Sequence, residues 1–136
     1  MYEKILIPVD LDHEELVPRK LELARRVLSP GGKITLMTVL ENVPGYVSEF
    51  VTVKSENHLT DKVGAALRKL GGGAADIEIH VCTGKPGVEI AQHAADAGIE
   101  MVIVGSHRPG LRDYFLGSTA ARVVRRAPCS VLVARP

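Results

Sequence analysis

Two glycine-led stretches carry the residue types suited to holding an anion. One is Gly105-Ser106-His107-Arg108-Pro109-Gly110 and the other is Gly117-Ser118-Thr119. A glycine leaving a strand lets backbone approach a ligand closely, and a Gly-Ser pair opening a helix offers free N–H groups, a hydroxyl and the positive end of the helix dipole. Phosphate is the guest these features suit. The plainer alternative is that Gly105 only turns the chain and Ser118 only caps a helix. Charge tilts the balance toward the anion: residues 105–136 hold Arg108, Arg112, Arg122, Arg125, Arg126 and Arg135 against Asp113 alone, in a chain whose net charge is only +1. Arg122, Arg125 and Arg126 suit a solvated helix face. Arg108 and Arg112 lie between glycines in an expected loop, where anion contacts are more common.

A second candidate group is Asp10-Leu11-Asp12-His13, directly after the apolar run Ile5-Leu6-Ile7-Pro8-Val9. Its carboxylates suit ribose hydroxyls, or a divalent ion carried in by a nucleotide, or simply the cap of a following helix. Other chemistries fare worse. No GxxxxGK[ST] occurs and no GxGxxG follows the first strand, which disfavours a P-loop machine and a dinucleotide enzyme. Ser106 or Ser118 with His107 and Asp10 resembles a hydrolase triad only in composition, because adjacent side chains rarely face each other and there is no GxSxG elbow. No catalytic residue is assigned. His58, His80 and His93 lack metal-ligand spacing, are expected on the surface or half-buried, and no protein metal site is assigned. Cys82 and Cys129 lie far apart, outside any CxxC, and read as two buried thiols in a reducing compartment.

The elements that must position these residues follow from apolar period and punctuation. Residues 4–9 form a buried strand, with Pro8 at its carboxyl end because proline cannot donate to a ladder. Pro18 opens a helix with Val17, Leu21, Ala24 and Leu28 inward, Leu16, Leu23 and Val27 widening the face, and Gly31-Gly32 as its stop. Residues 34–39 form the second strand and 41–54 a long loop that suits a lid and suits disorder equally. Ser55 caps a helix with Leu59, Val63, Ala66, Leu67 and Leu70 on one face, ended by Gly71-Gly72-Gly73. Residues 77–82 alternate as an edge strand. Pro86 starts a helix with Val88, Ile90, Ala91, Ala94 and Ala95 inward, stopped at Gly98. Residues 101–104 form a fully buried strand, 117–126 the last helix and 129–134 the last strand. Five strands alternating with four helices predict an α/β fold with a five-stranded parallel sheet covered on both faces. Placing the two most apolar strands centrally gives the order 3-2-1-4-5, with a ligand crevice between strands 1 and 4, where Asp10 and Gly105 sit.

The chain has 136 residues, 46% of them hydrophobic. That is one domain, residues 1–136, able to bury roughly 68% of the surface it exposes unfolded. Its near-zero net charge argues against a nucleic-acid or membrane binder. No apolar run approaches the roughly 18 residues of a membrane span, and no basic, apolar leader precedes Tyr2-Glu3-Lys4, so the cytoplasm is the expected location.

Taken together these residues resemble the universal stress protein family over essentially the whole chain. The resemblance rests on Ile5-Leu6-Ile7-Pro8-Val9-Asp10, Gly84-Lys85-Pro86, Val102-Ile103-Val104-Gly105-Ser106-His107 and, most specifically, the run from Leu116-Gly117-Ser118-Thr119-Ala120 to Ala127-Pro128-Cys129-Ser130-Val131-Leu132-Val133. It implies a small cytoplasmic homodimer, with the adenine nucleotide alpha hydrolase-like fold, that binds ATP or AMP, with or without Mg or Mn, and has no settled catalytic task. The nucleotide-binding branch has Gly, two residues, Gly, nine residues, then Gly and Ser or Thr. Here Arg108 stands in the second glycine's place and eight residues, 109–116, precede Gly117. The run resembles a subgroup that carries this arginine and still binds adenine nucleotides, a charged contact replacing a backbone one. By the same resemblance Val39 lies near adenine, and Pro8, Val9 and Asp10 flank base and ribose. Gly105, Ser106, His107 and Arg108 hold phosphates together with Gly117, Ser118, Thr119 and Ala120, and Val131-Leu132-Val133 pairs two protomers. Two other readings stay open: a slow metal-dependent ATPase or phosphotransfer enzyme using Asp10, and a nucleotide-free dimer acting through protein contacts.

Overall fold

Strand β1 (Tyr2–Pro8) is the centre of the molecule, because Ile5, Leu6 and Ile7 are each 0% exposed and a strand buried on both faces needs a neighbour on each side. The computed structural model describes residues 1–41, 53–106 and 116–135. Within them the chain continues as a 3-10 segment (Leu11–Leu16), α1 (Val17–Val27), β2 (Leu28–Leu40), α2 (Val53–Leu70), β3 (Ile77–Thr83), α3 (Pro86–Asp96), β4 (Met101–Gly105), α4 (Ser118–Arg126) and β5 (Ser130–Ala134). All four strand pairings are parallel and the order is β3-β2-β1-β4-β5, as the sequence predicts. Pro8 ends β1 opposite Met37, and Val9, which has an N–H, makes the last bond to the Met37 carbonyl at 2.7 Å.

Alternation along the central strands builds two cores. Ile5, Ile7, Ile34, Leu36 and Ile103 meet Val17 and Ala24 of α1 and Val63 and Leu67 of α2. Leu6, Met37, Val102 and Val104 meet Ile90 and Ala94 of α3 and Ala120 and Val123 of α4. At the amino ends of the strands, Arg25 of α1 grips Asp76 before β3: Nη1 bonds Oδ2 and Nη2 bonds Oδ1 at 2.9 Å, which holds the Asp76 carboxyl below the usual aspartate range.

Several boundaries and faces differ from the sequence reading. Helix α1 ends at Val27, so Gly31-Gly32 is not its stop and Leu28 belongs to β2. The register steps from Tyr2 opposite Leu28 to Lys4 opposite Lys33, and Gly31, at φ +80, supplies the left-handed turn this bulge needs. Helix α2 begins at Val53, so Ser55 lies inside it rather than at its cap and Val53 and Lys54 of the expected loop 41–54 are helical; residues 42–52 lie outside the described residues. Leu59 is 48% exposed, one turn before Val63, where no described residue covers the helix. In α3 the buried stripe is Gly87, Ile90 and Ala94, while Val88 and Ala95 are exposed, since each stands about one residue, or 100°, round from that stripe. The thiols are half-buried rather than buried, because Cys82 lies on edge strand β3 and Cys129 just before edge strand β5; burial still pushes both up. Arg125 and Arg126 are exposed as expected, whereas Arg122 lies half-buried against Gly87. Among the described residues no helix is long and apolar enough to cross a membrane.

Candidate functional site

A cleft of about 800 Å³ opens where the carboxyl ends of β1 and β4 diverge toward helices on opposite faces of the sheet. Of the twelve residues expected at a site, ten line it: Pro8, Val9, Asp10, Val39, Gly105, Ser106, Gly117, Ser118, Thr119 and Ala120. His107 and Arg108, like Arg112, lie outside the described residues. The volume falls within the roughly 300–1,000 Å³ of small-molecule sites.

Three elements converge here. At the end of β1, Asp10 leaves the strand in an extended conformation and its Oδ1 accepts from the Asp12 N–H at 2.9 Å, capping the 3-10 segment. The capping role and the place in the cleft are therefore both real. At the end of β4, Ser106 is buried; its N–H donates to the Ala134 carbonyl at 3.2 Å and its hydroxyl approaches the same oxygen at 3.4 Å. The hydroxyl is thus turned to a backbone carbonyl and not to any base among the described residues, which counts against Ser106 as a nucleophile. Across the cleft, Gly117 caps α4 with no side-chain hydrogen bond. The first intrahelical bond is Ala121 N–H to the Gly117 carbonyl at 2.8 Å, so the Ser118, Thr119 and Ala120 N–H groups have no partner within the helix. A Cβ at Gly117 would meet no described residue within 4 Å.

Two buried polar residues of the lining escaped the sequence reading. Thr38 is buried and its hydroxyl donates to the Val9 carbonyl at 3.0 Å, tying β2 to the end of β1; no sequence signal marks it. Lys20 is only 9% exposed, and its Nζ donates to the Pro8 carbonyl at 3.3 Å. Burial lowers its pKa from the ordinary lysine value, and Asp10 partly opposes this. A signal for Lys20 was present: it stands three residues after Val17 and four before Ala24, on the inward stripe of α1. Among the described residues no group of three or more His, Cys, Asp or Glu is placed to hold a metal ion.

The model of the universal stress protein family matches residues 1–135. The chain belongs to that family. Universal stress protein G of Shigella flexneri is 30% identical over 145 residues, an alignment covering 99% of this chain and 100% of that protein. Universal stress protein MJ0577 of Methanocaldococcus jannaschii is 27% identical over 156 residues, covering 99% and 96% of the two chains. The solved structure of MJ0577 superposes with a TM-score of 0.77 over 100% of this chain and 97% of that one, at 26% identity. A universal stress protein solved in complex with cAMP shares the fold, with a TM-score of 0.59 and 24% identity over 98% of this chain and 96% of that one. The five-stranded parallel sheet in the order 3-2-1-4-5 is thus the architecture of the family.

Proposed function

We propose that this universal stress protein binds an adenine nucleotide, ATP or AMP, in the β1/β4 cleft and acts as a stress-response sensor or switch with little turnover. One observation carries the reading. The start of α4, whose first three N–H groups have no partner within the helix, lines the same cleft as the carboxyl ends of β1 and β4, so an anion-binding helix end stands across a topological switch point. Pro8, Val9 and Val39 supply apolar surface for a base, and Asp10 retains a carboxylate oxygen for ribose hydroxyls. Gly105, Ser106, Gly117, Ser118, Thr119 and Ala120 supply the phosphate side, with His107 and Arg108 assigned there by the resemblance. Mg or Mn would arrive on the nucleotide's phosphates, not on a protein site. The working assembly is a homodimer in the cytoplasm, joined through β5.

A slow ATPase using Asp10 is the second reading, supported by the presence of that carboxylate in the cleft. Turnover separates the two: hydrolysis needs a placed water, a base and stabilisation of charge at the γ-phosphate, and Asp10, assigned to the ribose side, stands away from the γ-phosphate and leaves the base poorly supplied. The deciding experiment uses the protein as purified. With no Trp and 3 Tyr it absorbs weakly at 280 nm, so a co-purified nucleotide raises the 260 nm band. Calorimetry with ATP, AMP and cAMP then follows, with and without Mg. Saturable binding of ATP or AMP, with ATP turnover well below roughly 1 per second, is the expected result. Absence of any binding would leave the nucleotide-free dimer, and turnover at enzyme-like rates that is lost in Asp10→Asn would establish the ATPase.

A further inference from the structure

We propose that Lys20 is the fixed cation by which this cleft selects a phosphorylated ligand over the corresponding neutral nucleoside. The inference rests on the nucleotide reading and assigns a residue that neither the glycine-led segments nor the arginine run supplies.

The placement comes first. Among the described residues that line the cleft, Lys20 is the single lysine or arginine, and the carboxylates of Asp10, Asp12 and Glu41 line it as well. Among the described side chains Lys20 alone sets a full positive charge against those three carboxylates, which by themselves would repel phosphate. The ammonium sits across the switch point: Nζ is bonded to the Pro8 carbonyl at the end of β1, and a Cβ built on Gly105 at the end of β4 would lie 3.3 Å from Lys20 Cε and 3.7 Å from Nζ. The glycine at 105 therefore leaves room for the lysine as well as for a ligand.

The charge is also unsatisfied in a way that asks for an anion. An ammonium has three donors, yet the Pro8 carbonyl is its one hydrogen-bond partner among the described residues, and no described carboxylate lies within salt-bridge distance. Asp10 favours the charged form only from a distance. A buried charge without a close counter-ion is costly to the free protein, and a phosphate oxygen in the cleft offsets that cost in the bound state. Because the stem is already packed on the inward face of α1, little side-chain entropy is lost on binding.

The test compares AMP, adenosine and inorganic pyrophosphate by calorimetry on the wild type and on Lys20→Met, which keeps a straight apolar stem and removes the charge. Lys20→Gln serves as a second variant that retains a donor. The wild type is expected to prefer AMP to adenosine by about ten- to a hundredfold, the range of a charge-assisted hydrogen bond. In Lys20→Met that preference should fall to within about threefold while adenosine affinity holds and the ligand-free melting temperature does not drop. A preserved preference, or an equal loss for AMP and adenosine, would overturn the proposal. If the wild type binds neither nucleoside nor nucleotide, the nucleotide reading itself fails and pyrophosphate decides for Lys20: binding weakened in both variants supports the anion role, and no binding by the wild type refutes it.

Discussion

His80 on β3 and His93 on α3 stack with ring centroids 4.1 Å apart and planes 16° from parallel. Two protonated imidazoles at that separation would repel each other. Burial is the larger cause that lowers the His93 pKa from its ordinary value, the His80 charge adds to it, and Asp96 opposes both. The sign follows from linkage: with the folded value below the unfolded one, the unfolded chain takes up the proton first, so stability is fully present above roughly pH 6.5 and is lost as pH falls through that window. Melting curves from about pH 7.5 to 5 should therefore show a decline that is shallower in His93→Gln. Parallel slopes for the two proteins would mean that the stack carries no pH dependence.

Gly87 is the point where α3 and α4 touch. A Cβ there would lie 2.6 Å from Arg122 Cδ and 2.9 Å from Arg122 Cβ, and the near end of a side chain cannot swing aside as its tip can. Gly87→Ala should lower stability by about 1–3 kcal/mol, the usual cost of overpacking, outweighing the gain from replacing a helical glycine. Urea denaturation measures it, and restoration of stability in the double variant Gly87→Ala, Arg122→Ala would tie the loss to this contact. An unaltered midpoint in the single variant would mean that the two helices give way freely.

Edge strand β5 presents Val131, Leu132 and Val133, each only partly buried in the single chain, with Leu132 and its two neighbours packed on opposite cores. An open apolar edge is an aggregation hazard that pairing with a second copy removes. The expected state at micromolar concentration is a dimer by light scattering, and Leu132→Lys should shift it toward monomer or precipitate. A monomeric wild type would remove β5 as an interface.

The parts of the fold that were legible in the sequence are those where burial leaves one choice. Ile5-Leu6-Ile7 and residues 101–104 are apolar on both faces, which forces them to the centre of the sheet, and from that the strand order and the switch point follow. Boundaries were less legible where a glycine serves either of two purposes. Gly31 and Gly32 read as a helix stop, but the pairing with β1 uses them for a bulge, a tertiary choice that no local pattern records. The ten lining residues followed from motif and resemblance, while Lys20 did not, because a lysine on an apolar stripe reads as a helix-face charge until burial is known.

Gly117 separates a binding role from a folding role more cleanly than any other position in the cleft. Its backbone, at φ −58 and ψ 161, is open to any residue, and a Cβ there meets no described residue within 4 Å, so among the described residues nothing opposes substitution. Aspartate is a better N-cap than glycine by a few tenths of a kcal/mol and complements the helix dipole, so Gly117→Asp should melt at the same temperature as the wild type or slightly above it. The same carboxylate would occupy the N–H groups of α4 and place a negative charge where phosphate is proposed to sit. Loss of ATP and AMP binding by at least about tenfold in a protein that is no less stable is the expected outcome by calorimetry and thermal melting. Gly117→Asn, which caps without the charge, should lose less, so the difference between the two variants measures repulsion apart from blockage. Unchanged affinity in the aspartate variant would take the phosphate role away from this helix end, and with it the observation on which the nucleotide reading stands.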